Sequence, residues 1–351
     1  MGEQSGGCGG ENCSLMPDPP TNCSHPDCLW EEPVFGWVDG VMKTVKLSVP
    51  VVVTIIYVPL MLFGLLGNIL TILVVWLRPH MRSSTYLYLS SMAISDLLIL
   101  LLLPLDLYKL WRPRPWPLGD LACKLTMFLS ECCTFCTILH ITFLSLERYV
   151  AVCWPITAKT LVTRRRTRAI IGCLWLGAAV SAAPVLLMVG VEDIGGDEVG
   201  FNQWREECRC TQYAISSGLL SAMMILSNLY FLVPLSILGL VYSLIGRTLW
   251  LRPKSSRKEQ GHRNTVKMLG VIVLAFVLCW LPFHVGRTIF SLSLGSYFNL
   301  VSSVLFYLSA AINPLLYNLM SARYRLAVRS LVRGPSESKA AAPCWTGEAT
   351  Q

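Results

Sequence analysis

Seven long apolar stretches recur along the chain, at residues 47–77, 85–109, 121–153, 169–190, 214–249, 264–292 and 297–319, with short polar segments between them. A helix needs roughly 20 mostly apolar residues to cross the ~30 Å hydrocarbon core of a bilayer, and each stretch reaches that length. The pattern predicts an all-α membrane protein, a seven-transmembrane helix bundle. The fifth and sixth stretches exceed one crossing, so their inner ends are expected to project into the cytoplasm. After the seventh, "SARYRLAVRSLV" sets Tyr324, Ala327, Val328 and Leu331 at helical spacing beside Arg323, Arg325 and Arg329. That predicts a short amphipathic helix lying on the inner membrane surface. The chain therefore divides into an extracellular amino-terminal segment (1–45), rich in Gly, Pro, Ser and Cys, a membrane domain (46–321), and an amphipathic helix with a cytoplasmic tail (322–351).

Composition agrees with this pattern. Of 351 residues 54% are hydrophobic and only 14% charged, against about 25% charged in a soluble domain. Too few polar residues remain to clothe a soluble bundle of seven helices. Lys and Arg gather in alternate loops: Arg78 and Arg82; Lys159, Arg164, Arg165, Arg166 and Arg168; the run from Arg247 to Lys267; and the tail from Arg323 to Lys339. Only Glu259, Glu337 and Glu348 oppose them, whereas the amino-terminal segment and the loop "GVEDIGGDEVGFNQWREECRC" are acidic. By the positive-inside rule the amino terminus lies outside and the tail inside, as an odd number of spans requires. The net charge of +8 belongs to this topology and implies no nucleic-acid partner.

"MGEQSGGCGG" has no apolar core of the kind a cleavable signal carries, so the first span is expected to serve as the signal anchor. The same start misses the myristoylation pattern, since position 6 is Gly rather than Ser or Thr. Cys132, Cys133, Cys136, Cys153, Cys173 and Cys279 fall within or at the ends of spans and read as small packing residues. Cys8, Cys13, Cys23, Cys28, Cys123, Cys208 and Cys210 fall outside, where disulfides form; their odd number leaves at least one free or paired elsewhere. Asn12 and Asn22, each in Asn-Cys-Ser, are glycosylation acceptors on that same side.

A charge at mid-membrane costs roughly 2.5–3.5 kcal/mol on insertion scales, so it needs a partner or a purpose. Asp96 in "LSSMAISDLLILLLLP" is the clearest case, with Asn68 and Asn313 as further buried polar candidates. Together they suggest a polar cluster able to hold water or a cation. Pro282 and Pro314 each remove a helical hydrogen bond and weaken two spans. Glu131 stands about 25 Å above Arg148 along the third span, and Arg287 about 10 Å beyond Trp280 along the sixth. Opposite charges at similar depth can satisfy each other, which points to a ligand-facing pair. Asp106 and Lys109 occupy the outer end of span two; snorkelling to the interface suits Lys109.

In order along residues 45–333 stand Asn68 in "GN", Asp96 in "SDLL", Cys123 opening span three, Glu147-Arg148-Tyr149, Trp175, Pro234 with Tyr242, "CWLP" at 279–282, and "NPLLY" at 313–317. This ordered set resembles the rhodopsin-like (class A) family of G-protein-coupled receptors. Within it, "LYLSSMAISDLLILLLLPLDLYKLWRPRPW", "YSLIGRTLW", "VLCWLPFHVGR" and "FYLSAAINPLLYN" are similar to the ghrelin (growth hormone secretagogue) and motilin receptors, with "HRNTVKML" leaning to the ghrelin side and "TRRRTRA" to the motilin side. The amino-terminal 40 residues match neither.

The resemblance implies roles for these positions. Glu147 would hold Arg148 at rest and release it to a G protein on activation, with Tyr149, Tyr242, Asn313, Pro314 and Tyr317 completing the switch and Trp280 as the toggle. Cys123 and Cys208 would form a disulfide, with Cys210 an extra cysteine able to compete. Glu131 and Arg287 would form an ion pair across a peptide pocket lined by Asp106, Lys109, Phe283 and Phe290, while Met127 departs from the polar residue expected there. Asp96, Thr137, Ser309 and Asn313 would form an allosteric sodium site. The implied ligand is a short secreted peptide hormone, amino terminus inward. The implied partners are a Gq-class heterotrimeric G protein that releases calcium, and arrestin, at the plasma membrane. A motilin-like receptor and a poorly signalling scavenging receptor are the alternatives. Other classes fit poorly. A retinal protein needs a span-seven lysine, and 297–319 has none. A transporter would show inverted repeats. No nucleophile or metal spacing supports an enzyme.

Overall fold

The computed structural model describes residues 32–112, 115–193, 206–251, 257–290 and 296–332, with some side chains within those stretches left undescribed, among them 32–48 and 287–290. The chain divides by contacts into Met1–Val49 and Pro50–Gln351. Of the first unit the described part is helical, from Glu32 onward. The second holds everything that follows.

The long helices are α1 (Glu32–Leu77), α2 (Ser84–Trp111), α3 (Gly119–Cys153), α5 (Arg164–Ala182), α8 (Leu219–Leu251), α9 (Arg257–Phe290) and α10 (Ser296–Met320). Among the described residues six of these carry segments long and apolar enough to cross a membrane, and α9 holds a shorter apolar stretch, Gly270–Gly286. Between them lie the short helices α4 (Pro155–Leu161), α6 (Val185–Met188) and α7 (Gln212–Ser216), the strands β1 (Val189–Asp193) and β2 (Glu206–Cys210), and a closing helix, α11 (Ala322–Val332). This is a seven-helix membrane bundle.

Local chemistry sets the boundaries. Thr163 caps α5 by accepting a hydrogen bond from the Arg166 amide, and Thr211 caps α7 by accepting from Ala214. Gly119 and Gly218 take φ of 74° and 75° at the starts of α3 and α8, a conformation that costs glycine little. The fourth span runs Arg164–Met188, close to the expected 169–190; a break at Ala183 and Pro184 separates α5 from α6 within it, and the last two expected residues open β1. The fifth span begins at Leu219 rather than near 214, because Gly218 separates it from the one-turn α7.

Helix α3 is the hub. It touches α2, α4, α5, α6, α8, α9 and both strands. In its most apolar window 67% of residues are buried, against 17% and 22% in the first and fourth spans, which lie at the rim. Elsewhere the bundle is apolar outward: Ile55, Leu66, Leu101, Leu176, Leu229 and Leu278 are all exposed, as lipid contact demands. Cys173 is exposed as well and so packs against nothing inside, contrary to the expectation for it, whereas Cys132, Cys133, Cys136 and Cys279 are buried.

At Gly64, α1 approaches α2 and α10 so closely that a Cβ would lie 2.6 Å from Leu100 Cδ1 and 3.1 Å from Ala311 Cα. Helix α11 buries Tyr324 and Ala327 and leaves Leu326 and Arg329 exposed, the amphipathic division its sequence predicts.

Candidate functional site

The polar residues fall into three levels along the bundle. At the first, β1 and β2 pair antiparallel, with Val191 opposite Cys208 and Val189 opposite Cys210. The disulfide Cys123–Cys208 ties this hairpin to the start of α3, with 5.6 Å between the Cα atoms. The Trp116 amide donates to the Glu206 carbonyl at 2.9 Å, and the Val191 amide to Asp120 Oδ1 at 3.0 Å, so the hairpin is stitched to the bundle on both sides.

Below the hairpin lies a cavity of about 220 Å³ lined by Asp106, Glu131, Met127, Phe283, Phe306 and Tyr307, with Val185, Met188 and Val189 over it. Of the expected pocket residues, Asp106, Glu131 and Phe283 therefore share one cavity. Glu131 is 7% exposed, a carboxylate deep enough in the wall that it needs specific partners. Asp106 accepts a hydrogen bond from the Tyr307 hydroxyl. Lys109 sits beside this cavity rather than on it, its ammonium 5.0 Å from the Trp116 ring, a cation–π contact. The side chains of Arg287 and Phe290 lie outside those described, as do Asn12 and Asn22.

Trp280, 1% exposed, packs behind the cavity lining. Its ring contacts Phe283 at 5.8 Å and Phe306 at 5.3 Å edge-on, and Phe276 below at 5.9 Å. The second level is a buried polar cluster. There Asn313 Nδ2 donates to Asp96 Oδ2 at 2.9 Å, and Asn68 Nδ2 donates to the carbonyls of Gly64 at 2.9 Å and Ala310 at 3.0 Å. Asp96 is 1% exposed.

Ser95 donates to the Met92 carbonyl at 2.8 Å, which leaves Thr137 as the donor in their 2.9 Å contact. Ser309 donates to the Phe306 carbonyl at 2.6 Å. The hydroxyl protons of Thr137 and Ser309 are thus committed to other oxygens, and each hydroxyl keeps its lone pairs as an acceptor. No cluster of three or more His, Cys, Asp or Glu that could hold a metal is present among the described residues.

The third level is at the far end of α3. Arg148 Nη2 contacts Glu147 Oε1 at 3.2 Å, with the two side chains 18% and 9% exposed. Arg148 Nε is buried and has no hydrogen-bond partner among the described residues. The guanidinium is therefore only partly satisfied, the condition under which a new acceptor binds strongly. Tyr149 and Tyr242 lie in an apolar cluster with Val152, Ile245 and Leu249. Tyr317 is 1% exposed, and its hydroxyl has no hydrogen-bond partner among the described residues.

Sequence reasoning missed Tyr307, Phe306, Met188 and Val189. Phe306 and Tyr307 both stand about two turns before Asn313, on a span that is apolar over most of its length. Met188 and Val189 reach the cavity only because Pro184 turns the chain over it.

A bundle of seven apolar helices, with a cavity beside a disulfide-tied hairpin, a buried polar cluster and a paired Glu147–Arg148 on α3, is a multi-pass membrane protein. Residues 67–317 match the model of the 7 transmembrane receptor (rhodopsin family), and the chain belongs to that family. It is 48% identical over 340 residues to the growth hormone secretagogue receptor type 1 of Sus scrofa, with 92% of each chain covered. It is 51% identical over 297 residues to the protein of that name from Homo sapiens, covering 80% of each. Against the motilin receptor of Homo sapiens the identity is 43% over 332 residues, again with 80% of each covered. The family is one of receptors rather than enzymes.

Proposed function

We propose that this chain is a plasma-membrane receptor for a short secreted peptide hormone, ghrelin-like rather than motilin-like, with its amino terminus outside. The observation that carries this reading is the cavity that brings Asp106 of α2 and Glu131 of α3 together, with Phe283 of its lining packed on Trp280. Two acids in a small, largely apolar chamber suit a cationic group, and the amino terminus of a peptide supplies one together with an adjacent chain for Phe283 and Phe306 to hold. Arg287 would balance Glu131 before the ligand arrives. The higher identity to growth hormone secretagogue receptors than to the motilin receptor favours the ghrelin side.

Binding at the cavity presses on the Trp280 stack. That shift reaches the Asp96–Asn313 cluster, where Thr137 and Ser309 would help hold a sodium ion in the resting state. It ends at Arg148, whose release from Glu147 would offer a docking point to a Gq-class G protein and, later, to arrestin. Tyr149, Tyr242, Pro314 and Tyr317 would let the far ends of α8, α9 and α10 rearrange around it. Each ligand shifts the equilibrium only by its differential affinity for the two states.

The test is a calcium assay in transfected cells with acyl-ghrelin, des-acyl ghrelin and motilin side by side. A response to acyl-ghrelin at lower concentration than to the other two supports the reading. Silence to all three, with the receptor at the cell surface, refutes it; a preference for motilin assigns the other ligand.

A further inference from the structure

We propose that Cys210 is a second, exchangeable partner for Cys123, so that the hairpin exists in two disulfide isomers. Cys208 and Cys210 are two residues apart on β2, opposite Val191 and Val189 of β1. Side chains alternate along a strand, so both cysteines point to the same face. Cys208 is bonded to Cys123, while Cys210 is a free thiol that packs against the same apolar cluster as that disulfide. A one-residue slip of β2 would turn its whole face over, but a two-residue slip, about 7 Å, keeps it. Such a slip carries Cys210 into the place of Cys208, opposite Val191. The remaining cysteines expected on the same side of the membrane, Cys8, Cys13, Cys23 and Cys28, are even in number and can pair among themselves, which leaves Cys210 the odd one.

The exchange needs no oxidant. The Cys210 thiolate attacks Cys123 Sγ, the Cys123–Cys208 bond breaks, and Cys208 leaves as a thiolate that takes up the proton Cys210 lost. The slip breaks the 2.9 Å bond from the Thr211 amide to the Met188 carbonyl and the 2.8 Å bond from the Gln212 amide to Glu192 Oε1. Because Met188 and Val189 lie over the cavity, the second isomer presents a different roof to a ligand. Burial, and then the Glu192 carboxylate, push the Cys210 thiol above its ordinary value, so the first isomer persists near neutral pH and exchange quickens as pH rises or when a small thiol catalyses it.

Trypsin can tell the isomers apart, because it cuts at Arg209, between the two cysteines, and isolates Cys123 on peptide 110–124. Full-length receptor in membranes is equilibrated in glutathione buffer at about pH 8.5, blocked with maleimide, digested without reduction and mapped by mass spectrometry. Before treatment peptide 110–124 should be joined to peptide 206–209; after it, linkage to the peptide beginning at Cys210 should rise about tenfold. Cys210 fully alkylated throughout, or joined to a peptide carrying one of the four amino-terminal cysteines, overturns the proposal. In Cys208→Ser, Cys123 should be found bonded to Cys210 and surface expression should persist, whereas Cys208→Ser with Cys210→Ser loses it. A Cys208→Ser receptor whose Cys123 is alkylated also overturns it. These readouts are covalent linkages and do not depend on which ligand the receptor takes.

Discussion

Asp106 and Glu131 carry different burdens within one cavity. Asp106 already accepts from Tyr307 and has Lys109 one turn away, so part of its charge is answered inside the protein. Glu131, on the central helix, lines the same cavity beside Ser130 and Met127. A charge-assisted hydrogen bond contributes about 1.5–3 kcal/mol, roughly 10- to 150-fold in affinity. Glu131→Gln keeps the shape and removes the charge. It should raise the agonist concentration for half-maximal calcium release by at least about tenfold while surface staining stays near that of the parent. An unshifted curve would remove Glu131 from the binding wall. Asp106→Asn should cost less, because Tyr307 can still donate to the amide oxygen.

At the scale of the helices, contact distance decides. Gly64 admits no Cβ without displacing Leu100 or the Ala311 backbone, whereas a Cβ at Gly177 meets nothing within 4 Å. Gly64→Ala should therefore lower the melting temperature of the solubilised receptor, at a cost of about 1–3 kcal/mol. Gly177→Ala should leave it unchanged or raise it slightly, since alanine favours a helix interior by roughly 0.5–1 kcal/mol. Equal melting temperatures for the two variants would mean that α1 does not sit against α2 and α10 as described.

The helices were legible from the chain because lipid exposure imposes one long apolar signal per span. What was not legible are the places where that signal is interrupted from within. Pro184 lies inside the expected fourth stretch, but nothing local says that the chain beyond it pairs as a strand with Glu206–Cys210. That pairing depends on the disulfide and on contacts far apart in sequence. Similarly, Asp96 announced a buried charge, while its acceptor role toward Asn313 depends on two helices meeting.

Across the whole molecule, the ligand chamber and Arg148 lie at opposite ends of α3, with Trp280 and the Asp96 cluster between them. Arg148→Ala should preserve peptide binding measured by radioligand displacement and abolish the calcium response, since it removes the guanidinium donor on which the partner would dock and leaves the cavity untouched. Full signalling by that variant would rule out the switch reading. The middle of the column permits a sharper test of the coupling itself. If a cation shared by Asp96, Thr137 and Ser309 favours the resting arrangement, then any ligand favouring the other arrangement must compete with it, although the two never touch; the linkage is reciprocal. Agonist affinity in membranes should fall as sodium replaces an organic cation at constant ionic strength, by about 5- to 150-fold for a coupling of roughly 1–3 kcal/mol. Asp96→Asn removes the only charge in the described donor set while keeping an oxygen to accept from Asn313, so its agonist affinity should be flat across the same titration. A sodium effect that survives in Asp96→Asn would place the ion elsewhere, and the Asp96 cluster would then be a fixed interhelical hydrogen-bond network rather than part of the switch.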